Sequence, residues 1–288
     1  MTTDGDAAPR WLVVGHGSVG SFVARRLADA GAAVDVFDPA PRLPIVAGTA
    51  VVTMDRGVYD CTVSCVPPDA APEVAETSAA ALVPGGLFFD WNTVAPEVKR
   101  RIAAAAGAGT VDVALLDSVD GASRRPRLAV SGPAAGRGAE LLTGVGFDVV
   151  VAGPEVGQAA ALKYLRSVFM KTLEALVLEF SALASELDPN DIVRDSLTNN
   201  LGTEFAAFMD LLLTTNRVHA ERRAHELDDA VASFASDGTR PELAEAAAEL
   251  LHRAALAWQD GAPGTTAPPE ELARFLHDAF WDTAAARP

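Results

Sequence analysis

The sequence predicts an α/β chain in two parts, a doubly wound parallel sheet followed by an all-helical domain, with one long helix joining them. Three observations predict it. From Trp11 to Gly153, short β-branched runs alternate with helical runs, which is the pattern of strand and helix units in a parallel sheet. Beyond Leu187 only helical runs remain. Between the two, Gly157 to Leu187 contains no proline and no internal glycine, so it is expected as a single helix of roughly 45 Å at 1.5 Å rise per residue. The expected boundaries are a frayed tail over 1–10, a sheet domain over 11–155 and a helical domain over 156–288.

Length and composition set limits on function. A chain of 288 residues more naturally forms two domains than one. A net charge of -16 and a pI near 4.6 argue against nucleic acid or an anionic membrane as partner, because both need a basic surface. The first ten residues, MTTDGDAAPR, lack an apolar signal core, and no run approaches the length of a membrane span, so a soluble cytoplasmic protein is expected. Cys61 and Cys65 lie in one apparent strand, roughly 13 Å apart by strand rise, too far to be bridged. They are expected as buried small hydrophobes.

In chain order, Trp11 to Val14 leads into GHGSVG, Gly15 to Gly20, then an amphipathic helix closed by Gly31, then AVDVFD ending in Asp38. Strand, glycine turn, helix, strand and carboxylate in this order predict a Rossmann-type dinucleotide site. Gly15 permits the tight turn, Gly17 lets backbone approach a pyrophosphate, and Gly20 lets the helix pack on the strand. His16, Ser18 and Val19 fill the turn and are counted as cofactor contacts, with His16 expected in a solvent-facing loop. Asp38 reads the ribose hydroxyls and repels a 2′-phosphate, which favours NAD; Arg42 is the residue that would accept NADP instead.

YDCTVSCVPP, Tyr59 to Pro68, is a buried strand ended by two prolines, a helix through APEVAETSAAALV stops before Pro84 and Gly85, GGLFFDWNT is a strand and APEVKRRIAAAAGAG a helix. Further strands are expected at TVDVALLD, RLAVSG and FDVVVAG, with a helix at AAGRGAELLTGVG. Ligands of such sheets bind at the carboxyl ends of the strands. That directs attention to Cys65, Val66 and Pro67, to Asn92 with Thr93, and to Asp117 through Arg125, within which Ser118 and Ser123 are candidate substrate contacts.

The long helix carries two of the chain's three lysines, Lys163 and Lys171; the third is Lys99. Lys163, Ser167 and Lys171 follow at i, i+4 and i+8 and share one side. An amine can lose its proton once its environment is tuned, whereas a guanidinium cannot.

Four blocks, GHGSVG, VSCVPP, DWNTVAP and GQAAALKYLRS, together resemble the β-hydroxyacid dehydrogenase superfamily, which includes 3-hydroxyisobutyrate and 6-phosphogluconate dehydrogenases. The third is similar to that family's D-x-S-T-x-x-P block, with Asp90, Thr93 and Pro96 matching and Asn92 in place of serine. The fourth is similar to its G-x-G-x-x-x-K-x-x-x-N helix, with Ala159 in place of the second glycine and Ser167 in place of asparagine. The resemblance implies that Lys163 is the general acid/base, that the cofactor is NAD or NADP, and that the helical domain forms a dimer. The family's serine-glycine-glycine substrate loop is absent, since this chain reads DVALLDSVDGAS from Asp112. KYLRSVFMKTLEAL and RVHAERRAHEL resemble a less characterised subgroup with its own C-terminal domain.

In the second half, helices are expected at DIVRDSLTNNL, from Thr203 to Ser236, at PELAEAAAELLHRAALAWQ and at PPEELARFLHDAFWDTAAA. Apolar residues Phe205, Phe208, Leu211, Leu212 and Leu213 are expected to be exposed and covered by a second copy of the chain. His219 is a further candidate substrate contact, and Lys171 is expected either to attract a substrate carboxylate or to pair with Glu174. No metal-ligand spacing and no Ser-His-Asp pattern is visible. The expected activity is hydride transfer between a nicotinamide cofactor and a small hydroxy acid or its carbonyl form. Reduction of an imine, or NAD binding without turnover, are the alternatives.

Overall fold

The structure, a computed structural model, describes residues 8–41, 44–45, 47–51, 53–117, 125–186, 191–264 and 266–281. The chain divides into two compact units, residues 1–164 and 165–288. The division falls inside the long helix, past the 155/156 boundary expected from sequence.

Unit 1 is built on an eight-stranded sheet in the order β3-β2-β1-β4-β5-β6-β7-β8. Its strands are β1 (Arg10–Val14), β2 (Ala33–Phe37), β3 (Thr49–Ala50), β4 (Tyr59–Ser64), β5 (Leu82–Asp90), β6 (Thr110–Leu115), β7 (Arg127–Ser131) and β8 (Asp148–Gly153). Helices α1 (Ser18–Asp29), α2 (Ala71–Ala80), α3 (Pro96–Ala106) and α4 (Ala135–Gly144) connect them. The central strands are buried along nearly their whole length, β1 as eBBBB and β6 throughout, as a sheet covered on both faces requires. The main core joins Trp11, Val13, Val63, Phe89 and Val111 of the sheet to Val23, Leu27 and Leu142 of the helices. Trp11 stacks on Phe89 at a centroid distance of 5.3 Å.

The sheet departs from the sequence expectation in three places. Strands β6 and β7 pair antiparallel, while the other neighbours are parallel; the link over 116–126 is shorter than the dozen or so residues a parallel crossover needs. Helix α2 ends at Ala80 and β5 already begins at Leu82, because Leu82 pairs with Tyr59 across a register shift before the main ladder starts at Cys61 and Leu87. Strand β1 begins at Arg10, inside the stretch expected as tail, since its guanidinium pairs with Asp35 at 2.6 Å and its N–H donates to Asp60.

Helix α5 (Gln158–Ala184) starts in unit 1 and continues into unit 2, which also holds α6 (Asp191–Leu201), α7 (Thr203–Ser236), α8 (Glu242–Gly261) and α9 (Pro269–Trp281). The helical core of unit 2 joins Leu178 and Ala182 of α5, Leu213, Ala224 and Leu227 of α7, Leu251 and Trp258 of α8, and Leu276 of α9. The apolar face expected to be open is mostly not open. Leu212 and Leu213 are buried, and Phe205 and Phe208 pack partly against Val177 and Met209 of the same unit. Of those five residues only Leu211 remains exposed. Among the described residues, no helix is long and apolar enough to cross a membrane.

Candidate active site

The switch in strand order, where β1 is flanked by β2 on one side and β4 on the other, opens a crevice at the carboxyl ends of those strands. The glycine turn sits there. Gly15 has φ +90°, and a Cβ on it would meet the Cys65 carbonyl oxygen at 2.3 Å; a Cβ on Gly20 would meet the Gly15 carbonyl at 1.9 Å. These two positions tolerate only glycine because backbone packs on backbone. Gly17 differs, since nothing lies within 4 Å of where its Cβ would be. No side chain caps α1, and its first turn carries no acidic residue, so the free N–H groups at the start of the helix are left to an outside acceptor.

Asp38 follows β2 and closes the turn. Its Oδ2 accepts the His16 N–H at 2.6 Å and its Oδ1 the Ala40 N–H at 2.8 Å. His16 is not solvent-facing as expected: the residue is 1% exposed and neither ring nitrogen has a hydrogen-bond partner. The imidazole is drawn in because the Asp38 bond folds the turn back over the sheet edge. Ser18 is exposed at the start of α1, while Val19 is partly buried against the sheet core.

At the end of β4, Cys65 packs against Gly15 and Gly20. Burial raises its thiol well above the ordinary range and pushes that of Cys61 up to about 12, so both remain protonated thiols. The Val66 N–H donates to Asn92 Oδ1 at 2.8 Å, and Pro67 precedes a short 3-10 turn over Pro68–Ala70. The Asn92 amide also donates to Ser64 Oγ at 3.0 Å and to Asp90 Oδ1 at 2.7 Å. A serine, usual at this position in the resembled family, cannot reach all three partners. Asn92 therefore ties the ends of β4 and β5 together.

Thr93 is exposed beside it, and Lys163 of α5 donates from Nζ to Thr93 Oγ1 at 2.8 Å. Asn92, Thr93, Val94, Lys99, Val113, Ala114, Ala160, Lys163 and Tyr164 line one narrow pocket. Ala159, in place of the family's second glycine, is buried against Ala114 and Ala129, where small residues on all three elements leave room for its methyl.

Lys99 is the residue that sequence reading passed over. It lies at 1% exposure, with Nζ 3.2 Å from Asp90 Oδ2 and 3.1 Å from Asp112 Oδ1, and it donates to the Asp90 carbonyl at 2.8 Å. Burial works against its ammonium, but Asp90 and Asp112 outweigh that and hold it above the ordinary lysine range. Burial raises the Asp90 carboxyl, with Lys99 pulling the other way. Asp112 Oδ2 in turn accepts the Gly157 and Ala160 N–H groups at 3.0 and 3.2 Å and the Ser131 hydroxyl at 2.9 Å. The start of α5 is thus capped from within the sheet. Two signals were present in the sequence: Asp112 sits inside an otherwise apolar strand, and Lys99 shares a face with Ile102 on α3.

The remaining candidates are placed separately. Ser118, Ser123 and Arg42 lie outside the described residues, as do Asp188 and Pro189. Ser167 is half-buried one turn beyond Lys163 on α5, in unit 2. Lys171 is 8% exposed and pairs with Glu226 at 2.9 Å, not with Glu174. Glu174 is taken by Arg223 and Asn216, because α7 brings arginine and amide groups across from α5. His219 is half-buried on α7.

Comparison with known proteins adds a frame. A family model described as Domain of unknown function (DUF1932) matches residues 184–254. An uncharacterized 28.5 kDa protein of Methanothermus fervidus, from its 7S RNA 5′ region, is 27% identical over 183 residues, 63% of this chain and 70% of that one. A conserved protein of unknown function, whose structure revealed similarity to 3-hydroxyacid dehydrogenases, aligns with a TM-score of 0.73 at 25% identity, over 88% of this chain and 100% of that one. This chain has a 3-hydroxyacid dehydrogenase-like fold. The 3-hydroxyisobutyrate dehydrogenase of Mycobacterium tuberculosis, solved with L-serine, aligns over 95% of this chain and 100% of its own with a TM-score of 0.76 at 18% identity. The 3-hydroxyacid dehydrogenase-like fold therefore extends over nearly the whole chain, as the four sequence blocks implied.

Proposed function

We propose that the chain is an NAD(P)-dependent oxidoreductase that moves a hydride between nicotinamide and a small hydroxy acid or its carbonyl form, with Lys163 as general acid/base. The observation that carries this reading is the 2.8 Å bond from Lys163 Nζ to Thr93 Oγ1. It sets an amine at the carboxyl edge of β5, on the side of the sheet where the glycine turn lies. The residues present fit a dinucleotide. Gly17 leaves open space, the first turn of α1 carries no anion, and the two His16 ring nitrogens are unmatched. Asp38, Gly15 to Gly20 and Cys65 to Pro67 would hold the cofactor, with Asn92 and Thr93 at its nicotinamide end.

Nicotinamide, when bound, supplies the hydride chemistry. The chain's own task is to manage one proton and to orient the substrate. Lys163 takes the proton from a substrate hydroxyl in the oxidative direction and returns it in the reductive one, while Thr93 Oγ1 fixes the ammonium through its hydrogen bond. Ser167, one turn on along the helix, would hold a substrate oxygen by hydrogen bonding. Lys171 has no part in this proposal, since its ammonium is committed to Glu226. The Asp38 carboxylate favours NAD over NADP by repelling a 2′-phosphate.

The test is a fluorescence screen of hydroxy acids, their carbonyl forms and imines with NADH and NADPH, followed by Lys163→Met on the substrate found. Turnover should fall on the order of a hundred- to ten-thousandfold, the usual contribution of a positioned acid/base, while NADH still binds more tightly than NADPH. More than about a tenth of the activity surviving in Lys163→Met removes the lysine from its role.

A homodimer through the second unit belongs to the same reading, with a different face from the one expected. Phe169, Leu176 and Leu183 lie seven residues apart on α5 and, with Leu165, are 66%, 60%, 52% and 59% exposed in that order. A seven-residue apolar repeat is what a helix presents to a partner helix. Light scattering should give twice the 29.9 kDa chain mass, and Phe169→Glu with Leu176→Glu should return the monomer; a wild-type monomer removes the idea.

A further inference from the structure

We propose that unit 2 carries a binding site for a borderline divalent transition ion, of which zinc is the representative, formed by His225 and Asp228 of α7 and His252 of α8. The three side chains each offer one ligand atom, and those atoms all lie within 4.8 Å of one another. His252 Nε2 is 2.7 Å from Asp228 Oδ2, and His225 Nδ1 is 3.9 Å from the same oxygen. The two rings stand at a centroid distance of 5.4 Å and an interplanar angle of 77°. Zinc–nitrogen and zinc–oxygen distances of about 2.0–2.2 Å put tetrahedral ligand atoms roughly 3.4 Å apart. The distances on either side of that value mean that small side-chain rotations suffice to close the three around one ion. Water completes the fourth position.

The helices that supply the ligands are already fixed. Ala224 and Leu227 of α7 and Ala248, Leu251 and Ala255 of α8 flank the three residues and are buried in the helical core. On α7, His225 and Asp228 are spaced i, i+3, which puts them on one face; His252 arrives from the neighbouring helix. Two imidazoles and one carboxylate form a mixed nitrogen and oxygen set, which suits zinc, nickel or copper rather than calcium or magnesium. The chain as a whole carries -16, a balance that favours a bound cation. A second group, Glu186, His277 and Asp278, has a single imidazole and serves as the control. The site is invisible to a search for linear ligand spacing because its members come from two helices. Its consequence is a clamp between α7 and α8, independent of the proposed oxidoreductase chemistry.

The test uses the full-length protein stripped with a chelator and titrated with zinc chloride by calorimetry, together with thermal melts. One equivalent should bind, and saturating zinc should raise the melting temperature. His225→Gln and His252→Gln should each lower zinc affinity by more than about tenfold, the cost of losing one good ligand, and should remove the thermal shift. His277→Gln should change neither. Absence of saturable binding in the wild-type chain, or affinity that survives His252→Gln, overturns the site.

Discussion

Among the described residues each unit holds a buried charged cluster, Lys99 with Asp90 and Asp112 in unit 1 and Glu174 with Arg223 in unit 2, and the two are built on different principles. In unit 1, a single ammonium, Lys99, serves two carboxylates, Asp90 and Asp112, all at or below 1% exposure. In unit 2, Glu174 accepts from Arg223 and Asn216, and Asn216 Oδ1 accepts the Trp258 indole N–H at 2.7 Å. The first cluster is short of positive charge and fully enclosed. The second is a chain of hydrogen bonds that reaches partial solvent through Arg223, 18% exposed at its side chain. What they hold also differs. Asp90 fixes Asn92 and Asp112 caps α5, so Lys99 sits beneath both elements that bring Thr93 and Lys163 together. The Glu174 chain joins α5, α7 and α8 and touches no proposed catalytic group. A buried charge set with one counter-ion thus lies under the proposed catalytic residues, and a neutralised, extended network lies within the helical architecture.

The largest effect that separates the two should come from Lys99→Met. It leaves two carboxylates enclosed without a counter-charge, and removing one partner of a buried pair costs about 3–5 kcal/mol. A melting temperature lower by roughly 10 °C is expected, together with loss of turnover. Adding Asp112→Asn should recover part of the stability but not the activity, because the cap on α5 is weakened. A calorimetric trace in which Lys99→Met melts like wild type would show the cluster to be dispensable.

A smaller effect is expected from Glu174→Gln, which keeps an acceptor for Asn216 but loses the charge facing Arg223. Because Arg223 retains some solvent, the loss should be about 1–3 kcal/mol. It should appear in the helical transition while the kinetics of any nicotinamide reaction stay unchanged. Altered kcat at full occupancy would connect the two clusters and dissolve the contrast.

The smallest effects are in pH, and they have opposite signs in the two units. Burial, followed by the hydrogen bond to Asp35, raises the Tyr59 phenol to about 12. The folded chain therefore keeps a proton that the unfolded chain loses near pH 10, so this contribution is complete below pH 10 and disappears between about 10 and 12. Burial would raise the Glu226 carboxyl, but Lys171 and then Arg222 outweigh it and hold it below the ordinary range. That stability is complete at neutral pH and is lost as pH falls below the ordinary carboxylate range. Denaturant midpoints should thus fall at alkaline pH less in Tyr59→Phe, and at acid pH less in Glu226→Gln, than in wild type. Parallel curves for mutant and wild type would refute either assignment.

The sequence by itself determined the strand and helix order, the glycine turn with Asp38, and the placement of Lys163 at the sheet edge. These rest on local chemistry: apolar period, the φ that only glycine adopts freely, and helical spacing from Gly157 onward. The reversed β7 was not read from the sequence, which led to the expectation of a parallel sheet throughout. Only the tertiary structure decided the burial of His16, the pairing of Lys171 with Glu226, the coverage of Leu212 and Leu213, and the meeting of His252 with Asp228. Each of these depends on which residue of a distant element arrives opposite, and no spacing along the chain encodes that. Lys99 lies between the two cases. Its spacing from Ile102 on α3 and the carboxylate inside β6 were signals that went unread, and that both carboxylates share one ammonium followed only when β5 and β6 paired, with Asp90 beside Asp112.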